Sequence, residues 1–185
     1  MIAAPWAPKI FYGIIIDTFP IFGSTKKSYL IILGTIFSIC AFSTGLFDFK
    51  KHVPIVALIA ITQICSAMMD VVVDGLSVSQ SRIDPKLGSQ DLQAFITLTA
   101  GISGMTGYLL GGILTQAGYA RESFLIVAVI ALLINISACF LDKKFETMEK
   151  ILKMSLCERT SHNFGMIKQG FSIKELRNFF IYYII

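Results

Sequence analysis

Between Pro5 and Leu30 the chain leaves an apolar run at Asp17 and passes Pro20, Ile21 and Gly23. It then reaches the pair Lys26-Lys27 and turns apolar again at Tyr29. An acid where one apolar segment ends, a proline-glycine turn, a cation pair and a second apolar segment together describe a short loop between two membrane helices. This pattern excludes an ordinary water-soluble core. Composition agrees, because only 15% of the residues are charged, against about 25% in an average soluble domain.

A bilayer's hydrocarbon is about 30 Å thick and needs roughly 20 apolar residues of helix to cross it. Five runs answer to that length, at about 2–16, 29–47, 53–73, 92–118 and 123–141. A sixth begins at Phe179 and is still apolar at Ile185. The first run is short and holds Pro5 and Pro8. With both ends reading as cut, the sequence predicts a fragment of a longer protein. The expected fold is an all-α, multi-pass membrane bundle of about five spans over 1–141. A cytoplasmic linker over 142–178 follows, then the start of a further span over 179–185.

Orientation follows from the distribution of cations. If the 17–28 loop is cytoplasmic, so are the 74–91 loop and the 142–178 segment. Lys26, Lys27, Arg82, Lys86, Lys143, Lys144, Lys150, Lys153, Arg159, Lys168, Lys174 and Arg177 then lie inside, and only Lys50, Lys51 and Arg121 outside, with Lys9 within a span. In the linker Phe145, Met148, Ile151, Leu152, Ser155 and Leu156 recur at helical spacing with lysines between them. This pattern fits an amphipathic helix on the anionic inner leaflet; a calmodulin-type target segment is the alternative.

Several function classes drop out. The net charge of +4 falls in short loops rather than on one face, so no nucleic-acid partner is expected. Cys40, Cys65, Cys139 and Cys157 have no metal-ligand spacing, and His52 and His162 fall on opposite sides of the membrane. No Ser/His/Asp set or phosphate loop occurs. The sequence predicts no enzyme, no cofactor and no metal.

The motifs resemble the folate-biopterin transporter family of the major facilitator superfamily. They are Pro5-Trp6 with Lys9, Gly13 with Asp17, Pro20-Ile21 with Gly23 and the two lysines, Asp70-Val-Val-Val-Asp74-Gly75, Arg82, Gly88-Ser-x-Asp-Leu-Gln93, and Gly107-Tyr-Leu-Leu-Gly-Gly112. They run in family order from Pro5 to about Phe124. The departures are Ile10 after the span lysine, where the family has proline, and lysines where arginines are common in the loop. The resemblance implies helices two to six of a twelve-helix carrier plus the start of the seventh, here the N-terminal half without its C-terminal half. It also implies folate or pterin as the transported solute. Another organic-solute carrier, or a truncated membrane protein without transport activity, are the rival readings.

Particular residues carry the expectation. Lys9 lies eight residues before Asp17, about 12 Å into the membrane, where an ionisable group is by default functional and partnered. The resemblance implies that Lys9 neutralises a substrate carboxylate; the alternatives are snorkelling or a pair with an acid on a neighbouring helix. Asp70 and Asp74 share a helix face. Asp70 reads as a substrate-site or proton-accepting group, or as a fixed partner of Lys9. Asp74 reads as a gate partner of Lys26 or Lys27, or as a solvated cap. The resemblance adds Asp17 and Arg82 to that charge network. Asp91 reads as the N-cap of the following span. Gly104, Gly107, Gly111 and Gly112 read as helix packing, with G-x-x-x-G at Gly107 and Gly111 permitting close approach.

Overall fold

The computed structural model describes residues 8–21, 26–48, 52–81 and 88–141, with a few residues between 158 and 173. Five helices follow in order: α1 (Lys9–Thr18), α2 (Lys27–Leu46), α3 (His52–Ser81), α4 (Gly88–Gln116) and α5 (Ala120–Cys139). The last four are each long and apolar enough to cross a membrane, and the chain is an all-α, multi-pass membrane helix bundle. The described part of α1 has ten residues, about 15 Å of helix. Pro5, Trp6, Arg82, the 142–156 amphipathic segment and the apolar run from 179 lie outside the described residues.

Local chemistry sets the helix ends. Pro20 disfavours helical backbone at the residue before it, and Phe19 leaves the helix at φ −110°, ψ 85°. Its carbonyl accepts a 2.8 Å hydrogen bond from the Tyr29 hydroxyl, so the end of α1 is tied to the start of α2. Pro54 stands in the first turn of α3, where backbone N–H groups have no intrahelical acceptor and a missing one costs little. Gly118 closes α4 with φ +83°. The Tyr119 N–H reaches the Leu114 carbonyl at 2.8 Å and the Gly118 N–H the Thr115 carbonyl at 3.2 Å. This is a Schellman cap, which a left-handed residue makes possible.

The centre of the bundle is α2, packed between α3 and α5. It buries Leu33, Gly34, Ser38, Ala41, Thr44 and Gly45, and α5 buries Ala128, Ala131 and Ala138. Small residues are what let membrane helices approach closely, because lipid supplies no hydrophobic drive between helices. A Cβ on Gly34 would lie 2.9 Å from Asn135 Cγ, and one on Gly45 would lie 2.6 Å from Leu125 Cδ2 and 3.2 Å from the Arg121 carbonyl. Lys27 Nζ donates to the carbonyls of Cys139 (2.7 Å) and Leu141 (2.9 Å) at one end. At the other end Arg121 reaches Asp48 (3.4 Å) and the Leu46 carbonyl (3.3 Å). These contacts make α2 and α5 an antiparallel pair with a cation at each end.

The glycines of α4, expected to serve helix packing, take no part in the close contacts among the described residues. A Cβ at Gly104, Gly107, Gly111 or Gly112 meets nothing within 4 Å among the described residues, and α4 has no buried residue in its apolar window. G-x-x-x-G spacing permits close approach without selecting a partner, and the close approaches here use Gly34 and Gly45.

Candidate functional site

The charged residues gather along α3. Its 30 residues make about 45 Å of helix, more than hydrocarbon alone requires. The segment from Asp74 to Ser81, expected as loop, is therefore helix. The serine hydroxyls there turn back onto their own helix: Ser77 Oγ donates to the Val73 carbonyl (2.9 Å), Ser79 Oγ to Gly75 (3.0 Å) and Ser81 Oγ to Val78 (2.9 Å). The start of α4 is likewise earlier than expected, at Gly88. Asp91 consequently sits in the first turn rather than at the N-cap, where its charge still complements the helix dipole.

Deeper along α3, Lys9 Nζ forms an ion pair and hydrogen bond with Asp70 Oδ2. The lysine is thus partnered by an acid on a neighbouring helix, one of the arrangements its position allows. One turn along, Gly13 lies against Val71, with room for a Cβ at 3.6 Å, so α1 runs close beside α3. The two charged side chains are 36% and 41% exposed among the described residues. The pair therefore opens onto a surface instead of being sealed in the core.

Lys26 is buried, at 8% exposure. Its ammonium donates to the Gly75 carbonyl at 2.7 Å and to Ser79 Oγ at 2.9 Å. Gly75 lies directly against it, and a Cβ there would be in ordinary contact with Lys26 Cε and Nζ at 3.5 Å. Lys26 thus docks on the α3 extension beyond Asp74, while Lys27 caps α5. Asp17, in the last turn of α1, is half-buried. Next to it, Thr18 Oγ1 is 3.2 Å from Asn163 Nδ2, so one residue of the 142–178 segment meets the Asp17 end of α1.

Asp74 itself is exposed and lines a cavity of about 350 Å³ between α3 and α4, with Ser77, Ser81, Leu92, Gln93 and Ile96 around it. Sequence reasoning missed this groove because half its lining belonged to a segment read as loop. The available signal was the spacing of Asp70, Asp74, Ser77 and Ser81, which is one helical stripe. Among the described residues no three His, Cys, Asp or Glu side chains form a possible metal group.

Two relatives illustrate what the chain is similar to. It is 28% identical over 141 residues to probable folate-biopterin transporter 4 of Arabidopsis thaliana, covering 75% of this chain and 29% of the relative. It is 29% identical over 152 residues to the folate-biopterin transporter of Synechocystis sp., covering 80% of this chain and 30% of the relative. The chain spans under a third of the length of these relatives. No solved structure matches it. The pattern of the BT1 family matches residues 1–184, nearly end to end, and the chain belongs to the BT1 family.

Proposed function

We propose that this chain is part of a non-enzymatic membrane carrier that moves folate- or pterin-type solutes by alternating access. The observation that carries the reading is the Lys9–Asp70 pair in a chain of the BT1 family. A lysine held within a membrane bundle by one acid is a counter-charge that a solute's carboxylate can take over, with Asp70 as the group it displaces. An ionisable pair at that depth is costly to maintain without such a use. The names of the relatives supply the solute class.

In this reading the bundle over 1–141 rocks against a second, C-terminal half of the same carrier, and 142–178 links the two on the cytoplasmic side. The open glycine face of α4, at Gly104, Gly107, Gly111 and Gly112, is where that other half packs. Lys26 and Lys27 hold the inner ends of α3 and α5, and together with Asp17 and Arg82 they would set the inward gate.

The test is uptake of labelled folate and biopterin by the intact protein and its Lys9→Ala variant. Removing the counter-charge should lower affinity for a carboxylate-bearing solute by about tenfold. Unchanged affinity in Lys9→Ala would remove Lys9 from the substrate site.

A further inference from the structure

We infer that the α3/α4 groove at Asp74 is a recognition subsite for the amino-pyrimidinone edge of a pterin ring. This deepens the transport reading and rests on it for the solute class. The argument begins with hydrogen-bond inventory. A serine hydroxyl has one proton, and those of Ser77 and Ser81 are committed to the Val73 and Val78 carbonyls. What remains on both oxygens is lone pairs. Asp74, on the same stripe, adds a carboxylate that only accepts. The α3 wall of the groove is therefore an acceptor surface. Across from it, the Gln93 amide can both donate and accept, and Leu92 and Ile96 supply apolar area.

A ligand that fits must present adjacent donors on one edge and a flat apolar body. Carboxylates do not suit this wall, because it offers them repulsion from Asp74 and no proton from either serine. A lone ammonium would satisfy the charge but leave the apolar side unused. A pterin has the required arrangement: its ring N3–H and 2-amino group lie side by side and match the two oxygens of one carboxylate. The adjacent ring carbonyl can accept from Gln93, and the bicyclic faces can lie against Leu92 and Ile96. The cavity volume of about 350 Å³ falls within the range of about 300–1,000 Å³ usual for small-molecule pockets. The donor edge of the ring then goes to Asp74 and its flat faces to the apolar residues of α4.

Competition against labelled biopterin in membranes carrying the intact protein tests this, using pterin and lumazine as competitors. Lumazine differs by a carbonyl in place of the 2-amino group, which turns a donor toward Asp74 into an acceptor. The unmodified protein should prefer pterin by about tenfold or more, the usual worth of a hydrogen bond to a charged group. Asp74→Asn should reduce that preference to within about twofold or reverse it, since an amide can pair with either edge. Ser77→Ala, which leaves the charge in place, should lower the preference by a smaller factor, and it decides the matter if Asp74→Asn binds nothing at all. A pterin preference that survives both substitutions overturns the subsite and leaves pterin transport standing. Competition by ethanolamine as strong as by pterin would assign the groove to a lone ammonium and overturn it as well. Failure of the unmodified protein to bind biopterin, pterin or folate would overturn both readings.

Discussion

Helices α2 and α4 are both apolar, both long enough to span a bilayer and both punctuated by glycine, yet they hold opposite places in the bundle. In α2, 44% of the apolar window is buried, and in α4 none is. In α2 the small residues at 34, 38, 41 and 45 fall on one stripe, and α5 answers with Ala128, Ala131 and Ala138. The interface is locked at its ends by Lys27 and Arg121. In α4 the hydroxyls of Thr97, Thr99, Ser103, Thr106 and Thr115 all bond to carbonyls of their own helix. Those hydroxyls are thereby satisfied without a neighbour, and a Cβ on its glycines meets nothing within 4 Å among the described residues. Glycine content alone therefore does not identify a packing face; a complementary small face on another helix does.

The sharpest way to break this contrast is Gly45→Leu. A Cβ at that position already lies 2.6 Å from Leu125 and 3.2 Å from the Arg121 backbone carbonyl. The side chain of Leu125 can turn away, whereas the α5 backbone cannot. Overpacking of this kind typically costs about 1–3 kcal/mol and sometimes more, and a leucine against backbone belongs at the upper end. Denaturant titration of the purified protein should show that loss. A stability equal to that of the unmodified chain would mean that α2 and α5 are not in contact as described.

Most of the spans were legible because bilayer thickness imposes a length that hydropathy can count. The runs at 29–47 and 123–141 lie within about three residues of α2 and α5. The tail of α3 was not legible. Asp74, Gly75, Ser77, Ser79 and Ser81 read as loop by composition, yet the serine hydroxyls turn back onto their own helix, Lys26 buttresses the backbone, and the helix continues outside the hydrocarbon. The Lys9–Asp70 pair was open to inference from intramembrane charge, and the structure selects that partner. Docking of Lys26 on a backbone carbonyl was not, because a carbonyl leaves no mark in sequence. The α2 stripe stands in the sequence at 34, 38, 41 and 45, but a stripe of small residues does not say which helix it faces, and only the fold places α5 against it.

A smaller effect of opposite sign sharpens the comparison inside the α2 interface. Ser38 is 2% exposed and its hydroxyl has no hydrogen-bond partner among the described residues, unlike Thr35, Ser43 and Thr44 of the same helix, which bond to carbonyls four residues back. An unsatisfied buried polar group costs about 1–3 kcal/mol. Ser38→Ala removes the oxygen and keeps the volume small enough for the helices to stay close. The variant should be more stable by about 1 kcal/mol in the same titration. A loss of that size would instead show that the hydroxyl is bonded across the interface.

The least perturbing substitution is expected in α4. Gly107→Leu places a large side chain where a Cβ meets nothing within 4 Å. It also replaces a poor helix former with a good one, a difference of roughly 1 kcal/mol per residue in isolated helices. In a membrane helix, where no water competes for the backbone bonds, much of that gain should vanish. The chain's stability should therefore stay within about 0.5 kcal/mol, the usual range for surface substitutions. The same variant in the intact carrier separates two roles for α4. If its glycine face packs against the rest of the carrier, as proposed, uptake should fall sharply although the bundle described here is as stable as before. If uptake and stability are both untouched, the face meets only lipid. A stability loss comparable to that of Gly45→Leu would instead place α4 inside a contact within this chain, and the distinction between the two helices would fail.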